Sequence, residues 1–158
     1  MLALIPLIIY SGTSLAFWSG MISPIIILQI ESDPVLGPGS KHQSDKFRLS
    51  LLAMTSFGIG EFCGSYLIGF IIDRLNSKRA TIFIMLNIFL MTIITLKAIN
   101  ITSYGLLTFL MTFFWGLQDA SINVHLFQLL GFEFENATEP FGAFLMIQGL
   151  STFFFQIL

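Results

Sequence analysis

The sequence predicts an all-α fold, a multi-pass bundle of about five transmembrane helices forming a single domain over residues 1–158. Three observations predict it. Of 158 residues, 55% are hydrophobic and only 10% charged, with a mean hydropathy of +0.86, whereas soluble domains carry about 25% charged residues. A core built by so short a chain cannot hide that much apolar surface from water. The few charges are clustered, and they divide the chain into stretches near the ~20 residues that an α-helix needs to cross a bilayer. Lipid is the expected solvent and a membrane the expected location.

The elements follow in order. The first span covers residues 2–30, which contain no charge. It has no basic leader and is too long for a signal-peptide core, so it reads as a retained span. Pro6 stands near its start, and Ser23-Pro24 is predicted to bend or end it. The second span, 49–72, is bounded by Arg48 and Asp73, and the third, 80–96, is short but sufficient. The interval between Lys97 and Glu133 is too short for two spans, so one tilted helix is placed at 104–131. The fifth span, 141–158, follows the loop FEFENATEP. Residues 31–48, ESDPVLGPGSKHQSDKFR, form the one long polar connection. Both chain ends fall inside apolar sequence, as expected of a piece of a longer architecture.

Several function classes lack support. A net charge of -2 and a pI near 5.5 provide no basic footprint for nucleic acid. The single cysteine, Cys63, excludes an internal disulfide and reads as a small apolar packing residue. No nucleophile elbow, phosphate loop or metal-ligand spacing is present, and no pair of carboxylates can be placed at one membrane depth from motifs. His42 and His125 belong to different compartments of the predicted topology. No enzyme activity, cofactor or metal is expected.

Charge alone orients the bundle weakly. Loops on one side hold Lys41, Lys46, Arg48 and Lys97, and those on the other hold Arg74, Lys78 and Arg79 at higher density, which favours a cytosolic 73–79 loop. Two glycosylation sequons, at Asn100 and Asn136, fall on opposite sides of this topology and close to the membrane.

The polar residues inside the spans carry the functional information. Asp119 lies near the centre of the fourth span, where a charge costs a few kcal/mol, so it should not face lipid. Helical spacing puts Gly116, Asp119, Ala120 and Asn123 on one face. A second polar row, Gln118, Ser121, His125 and Gln128, runs beside it. Such a helix lines a watery cavity or forms a hydrogen-bonded lock between helices, and spacing does not choose between them. His125 by itself reads as a packed partner.

In the second span Glu61 stands near the middle of GIGEFCGSYLIGFII. Ser56, Gly60 and Gly64 form a small-xxx-small ridge that lets helix backbones approach. Glu61, Ser65, Gly69 and Asp73 follow at four-residue steps towards the loop GFIIDRLNSKR. Asp73 at a helix C-terminus opposes the macrodipole, which calls for a partner among Arg74, Lys78 and Arg79. A plain cytosolic turn with basic anchors is the simpler alternative.

The pattern Gly69, Asp73, Arg74, Lys78, Arg79 resembles the motif joining the second and third helices of each half of the major facilitator superfamily. Asn76 stands where the turn usually has glycine, and asparagine is the next best residue for a left-handed turn. IPLIIYSGTSLAFWSG, GIGEFCGS, GLQDASINVHLFQLLG and EPFGAFLMIQGLSTFFF resemble helices seven, eight, ten and eleven of the Unc-93-like branch. The chain departs from that branch at Val124 and His125, in place of a Thr-Gln pair, and at Phe127, in place of Tyr.

The resemblance implies part of the C-terminal half of such a protein, with the 73–79 loop cytosolic. Helices one to six and twelve are then absent, and the expected partner is a missing N-terminal half or another membrane protein. It further implies a role in secondary transport of an unknown solute, with Gly69, Asp73, Arg74, Lys78 and Arg79 as a cytosolic gate. Glu61, Asp119, Asn123 and His125 become cavity or packing groups. The alternative is a non-transporting regulatory or trafficking partner of a channel or receptor, which the same branch includes.

Overall fold

The computed structural model describes residues 4–34, 36, 43–101, 103–132, 134 and 138–157. The sequon at Asn136, the Thr102 position of the other sequon, Lys41, His42 and Glu133 lie outside the described residues.

The described chain is built from five long helices: α1 (Ile5–Ser32), α2 (Gln43–Arg74), α3 (Ser77–Asn100), α4 (Leu106–Phe132) and α5 (Thr138–Ile157). Their centres match the predicted spans, but α2 and α3 run several residues further at each end. Hydropathy marks where a helix leaves the apolar layer, not where its hydrogen bonding stops. Asp45 in the first turn of α2 and Arg74 in its last turn both suit the helix dipole.

Two local expectations change. Pro24 does not end α1. A π-helical turn, Trp18–Ile22, precedes it, and the helix resumes with Pro24 in the first turn of Ser23–Ser32. Proline removes one N–H and crowds the carbonyl four residues back, and the wider turn absorbs both effects. Asn76 is not in the left-handed helical region, but its φ of 159° with ψ of 153° is a positive-φ conformation that glycine adopts most easily. The Ile71 carbonyl accepts the N–H groups of Leu75 and Asn76, and the Asn76 carbonyl accepts those of Arg79 and Ala80. Two residues, Leu75 and Asn76, thus link α2 to α3.

Four of the helices, α1, α2, α3 and α5, are long and apolar enough to cross a membrane. The fourth predicted span, α4, falls short because its polar rows lower its hydropathy. It is also the most enclosed helix, with an unbroken buried run from Trp115 to Ile122. It runs parallel to α2, since Ser56 meets Phe109 and Gly64 meets Leu117. It runs antiparallel to α3, where Asn87 meets Gln118 and Thr81 meets His125. Successive helices therefore alternate in direction, as in an up-and-down bundle.

The closest packing joins α2 to α4. A Cβ on Gly60 would strike the Phe113 carbonyl oxygen, one on Gly64 that of Leu117, and one on Gly116 that of Phe57. Ser56 Oγ adds a hydrogen bond to the Phe109 carbonyl at 3.0 Å. The predicted ridge is thus the contact itself. In α1, Ser23–Ser32 packs on α2, whereas Ile5–Phe17 leans on α5 and α4. The helix changes neighbours at the π turn.

Apolar side chains form two separate cores at the two ends of the bundle. One gathers Ile22, Ile26, Ile30, Phe57, Met111 and Trp115. The other gathers Ile8, Ile68, Ile84, Ile122, Leu126 and Phe144. The outer surface is apolar as well, with Phe62, Tyr66, Phe89 and Phe154 exposed, an arrangement suited to lipid contact.

Candidate functional site

Between the two cores lies a layer of polar side chains. Asn123 Nδ2 donates to Asp119 Oδ2 at 3.2 Å, and Ser11 Oγ donates to Asn123 Oδ1 at 3.0 Å. Gln148 Nε2 donates to Ser11 Oγ at 2.8 Å. This string runs from α5 through α1 to α4, with every donor directed towards the Asp119 carboxylate. Gly12, beside Ser11, lets α5 approach, since a Cβ there would lie 2.6 Å from the Gln148 carbonyl oxygen.

The structure also brings together two carboxylates that the sequence left on separate helices. The closest approach of α2 and α4 sets Gly116 against the backbone nitrogen of Glu61. Asp119 is one turn beyond Gly116, and Glu61 lies within electrostatic range of it. Two carboxylates on facing helices, offset by about one turn and within electrostatic range, thus neighbour each other: helix register hides proximity between helices until the crossing point is known. Asp119 is buried and Glu61 half-buried.

Trp18 closes the site from α1. Its indole nitrogen is buried beside Asp119 without meeting it in hydrogen-bond geometry. Its ring packs on Phe57 with centroids 4.9 Å apart, and the preceding Phe17 stacks on Trp115 at 4.6 Å. The π turn thus starts where α1 presents two successive aromatic rings inward. Beyond Trp18 the N-terminal part of α1 no longer follows α2, and Glu61 sits where the two helices part.

The second polar row of α4 turns to α3 instead. Asn87 Nδ2 donates to Gln118 Oε1 at 2.7 Å, and His125 Nε2 lies 3.3 Å from Thr81 Oγ1. His125 Nδ1 is buried near the Gln128 amide oxygen but outside bonding geometry. His125 is therefore a packed neighbour of α3, apart from the carboxylate pair.

The predicted gate residues are placed differently. Asp73, Arg74, Lys78 and Arg79 are all exposed at the α2–α3 turn, and none pairs with another. Asp73 thus lacks the local partner expected for it. Gly69 faces open space, so Ser65, Gly69 and Asp73 climb the outside of the bundle.

At the opposite end, side chains clasp four helices. Gln29 donates to the Ala98 carbonyl at 2.7 Å and accepts from Thr108 at 2.9 Å. Tyr104 donates through its hydroxyl to the Leu49 carbonyl and through its backbone to Asp33. Lys46 pairs with Glu31 at 2.7 Å.

Sequence reasoning missed Ser11, Trp18, Asn87 and Gln148. A signal for the last existed: Gln148, Thr152 and Gln156 recur at four-residue steps, and all three bond to α1. Compared with protein-family models, with curated proteins and with solved structures, the chain finds no match.

Proposed function

We propose that the chain is a membrane-embedded part of a secondary transporter of the major facilitator type, acting on an unknown solute. Glu61 and Asp119 would face the solute path, with Asn123 orienting Asp119. The observation that carries the reading is the carboxylate pair at mid-bundle, set where α1 and α2 part. Ionisable groups at this depth cost several kcal/mol unless they serve a pathway or a partner, and transporter sites lie near the midplane between two rocking units. The exposed, unpaired Asp73, Arg74, Lys78 and Arg79 suit a gate that meets another unit, either an N-terminal half or a separate membrane protein.

A second reading is favoured by one observation: most mid-layer polar groups are committed to bonds between helices. That economy suits a rigid, non-transporting regulatory or trafficking partner. Labelling tests the choice. With Cys63→Ala as background, Glu61→Cys in native membranes is treated with a small, membrane-impermeant thiosulfonate. The transporter reading expects modification of the folded protein, whereas an unreactive Glu61→Cys leaves only the partner reading.

A further inference from the structure

Among the described residues, no lysine or arginine stands near the carboxylate pair. Those described stand at helix ends: Lys46 and Arg48 open α2, Arg74 closes it, Lys78 and Arg79 open α3, and Lys97 lies in its last turn. Two negative charges within electrostatic range of each other in an apolar interior repel, because low-dielectric surroundings screen them poorly. Tyr10, also bordering Asp119, supplies a hydroxyl and no positive charge.

A second observation is independent of charge. Two side chains at this layer are more than nine-tenths buried and carry a polar atom without a partner. Ser14 is 4% exposed with Oγ unbonded, and Gln118 is 0% exposed with Nε2 unbonded. Ser14 lies one turn from both Tyr10 and Trp18 on the same stripe of α1, and those two side chains border Asp119. Gln118 Nε2 lies near the Tyr10 hydroxyl, outside hydrogen-bond geometry. Buried polar atoms are nearly always bonded to protein, water or ligand.

We propose that Glu61, Asp119 and Ser14 form a binding site for a compact monovalent cation, either sodium or the head of a primary ammonium. The inference rests on the reading of this pair as solute-facing, and it names the class of solute. Packing argues for compactness on one side: with Gly60, Gly64 and Gly116 pressed against carbonyl groups, α2 and α4 leave no room between them for a bulky head. Ligand number argues for a monovalent ion, since calcium takes six to eight oxygen ligands and magnesium keeps an octahedral shell, more than these side chains offer. A water carried in with the cation would accept from Gln118. Entry is past half-buried Glu61, where α1 leaves α2.

The test uses the whole chain purified in detergent. Thermal unfolding is followed at matched ionic strength in sodium chloride, methylammonium chloride or N-methylglucamine chloride, whose cation is too large for the site. Sodium or methylammonium is expected to raise Tm by several degrees over N-methylglucamine. Stabilisation by sodium alone assigns an inorganic ion, and stabilisation by methylammonium, alone or at lower concentration, assigns an amine. The apparent affinity should weaken at least about tenfold in Glu61→Gln and in Asp119→Asn, and less in Ser14→Ala. No shift in either salt, or one that persists in both variants, overturns the proposal. If neither variant folds, radioactive sodium or methylammonium, whichever stabilises the unaltered chain, must bind to it and be displaced by its own unlabelled salt and not by N-methylglucamine. Modified Glu61→Cys without cation binding would sink this inference and leave the transport reading standing.

Discussion

Asn123 is the residue through which the polar layer is joined. It accepts from Ser11 and donates to Asp119, so its loss leaves one buried donor and one buried acceptor without that partner. Unmet groups of this kind cost roughly 1–3 kcal/mol. Asn123→Ala should therefore lower stability by about that amount in reversible unfolding in detergent, and Gln148→Ala, further from the carboxylate, by less. Asp119, Asn123 and Glu61 were legible in the sequence because a charge or an amide at mid-span has a cost that demands explanation. Ser11 and Ser14 were not: a serine is nearly neutral on a transfer scale, so nothing in its position signals a contact. The carboxylate pair was half legible. Both members stood out, but their meeting depends on where α2 and α4 cross, which no local pattern encodes.

Among the elements, the α2–α4 contact is the most demanding. Alanine at Gly60, Gly64 or Gly116 must push a backbone carbonyl aside, and overpacking of this kind costs about 1–3 kcal/mol. Gly58→Ala and Gly69→Ala meet open space and should leave Tm unchanged or slightly higher, since alanine is the better helix former. Equal losses at all five positions in a melting series would contradict this packing. The ridge was readable because small residues at four-residue spacing have few other uses in an apolar helix. Helix ends were read too short, because lysine and arginine stems extend a helix past the apolar layer. The effect of Pro24 was misjudged, because sequence shows the missing N–H but not the π turn that accommodates it.

For the whole molecule, the two ends differ in kind. One is clasped by hydrogen bonds across α1, α2, α3 and α4, and the other carries exposed charges around the α2–α3 turn. Density of basic residues predicts a cytosolic turn. Leu75, exposed at the turn, provides the check: with Cys63→Ala as background, Leu75→Cys in sealed cells should react with an impermeant maleimide only after permeabilisation. Labelling of intact cells would invert the topology. The all-α class was legible from composition, and the alternating helix directions followed from short connections. The separation into two apolar cores was not, because a sequence lists polar residues along each helix without saying that they share one level.

The enclosure of α4 bears on how the bundle is made. A helix that falls short in hydropathy gains little from entering lipid alone, and α4 carries Asp119 at its centre. Its carbonyl-to-glycine contacts with α2 and its amide bond to α3 involve helices that precede it on the ribosome. Integration of α4 is therefore expected to be cooperative, completed against the preceding helices, and a nascent chain lacking α2 should leave α4 outside the bilayer.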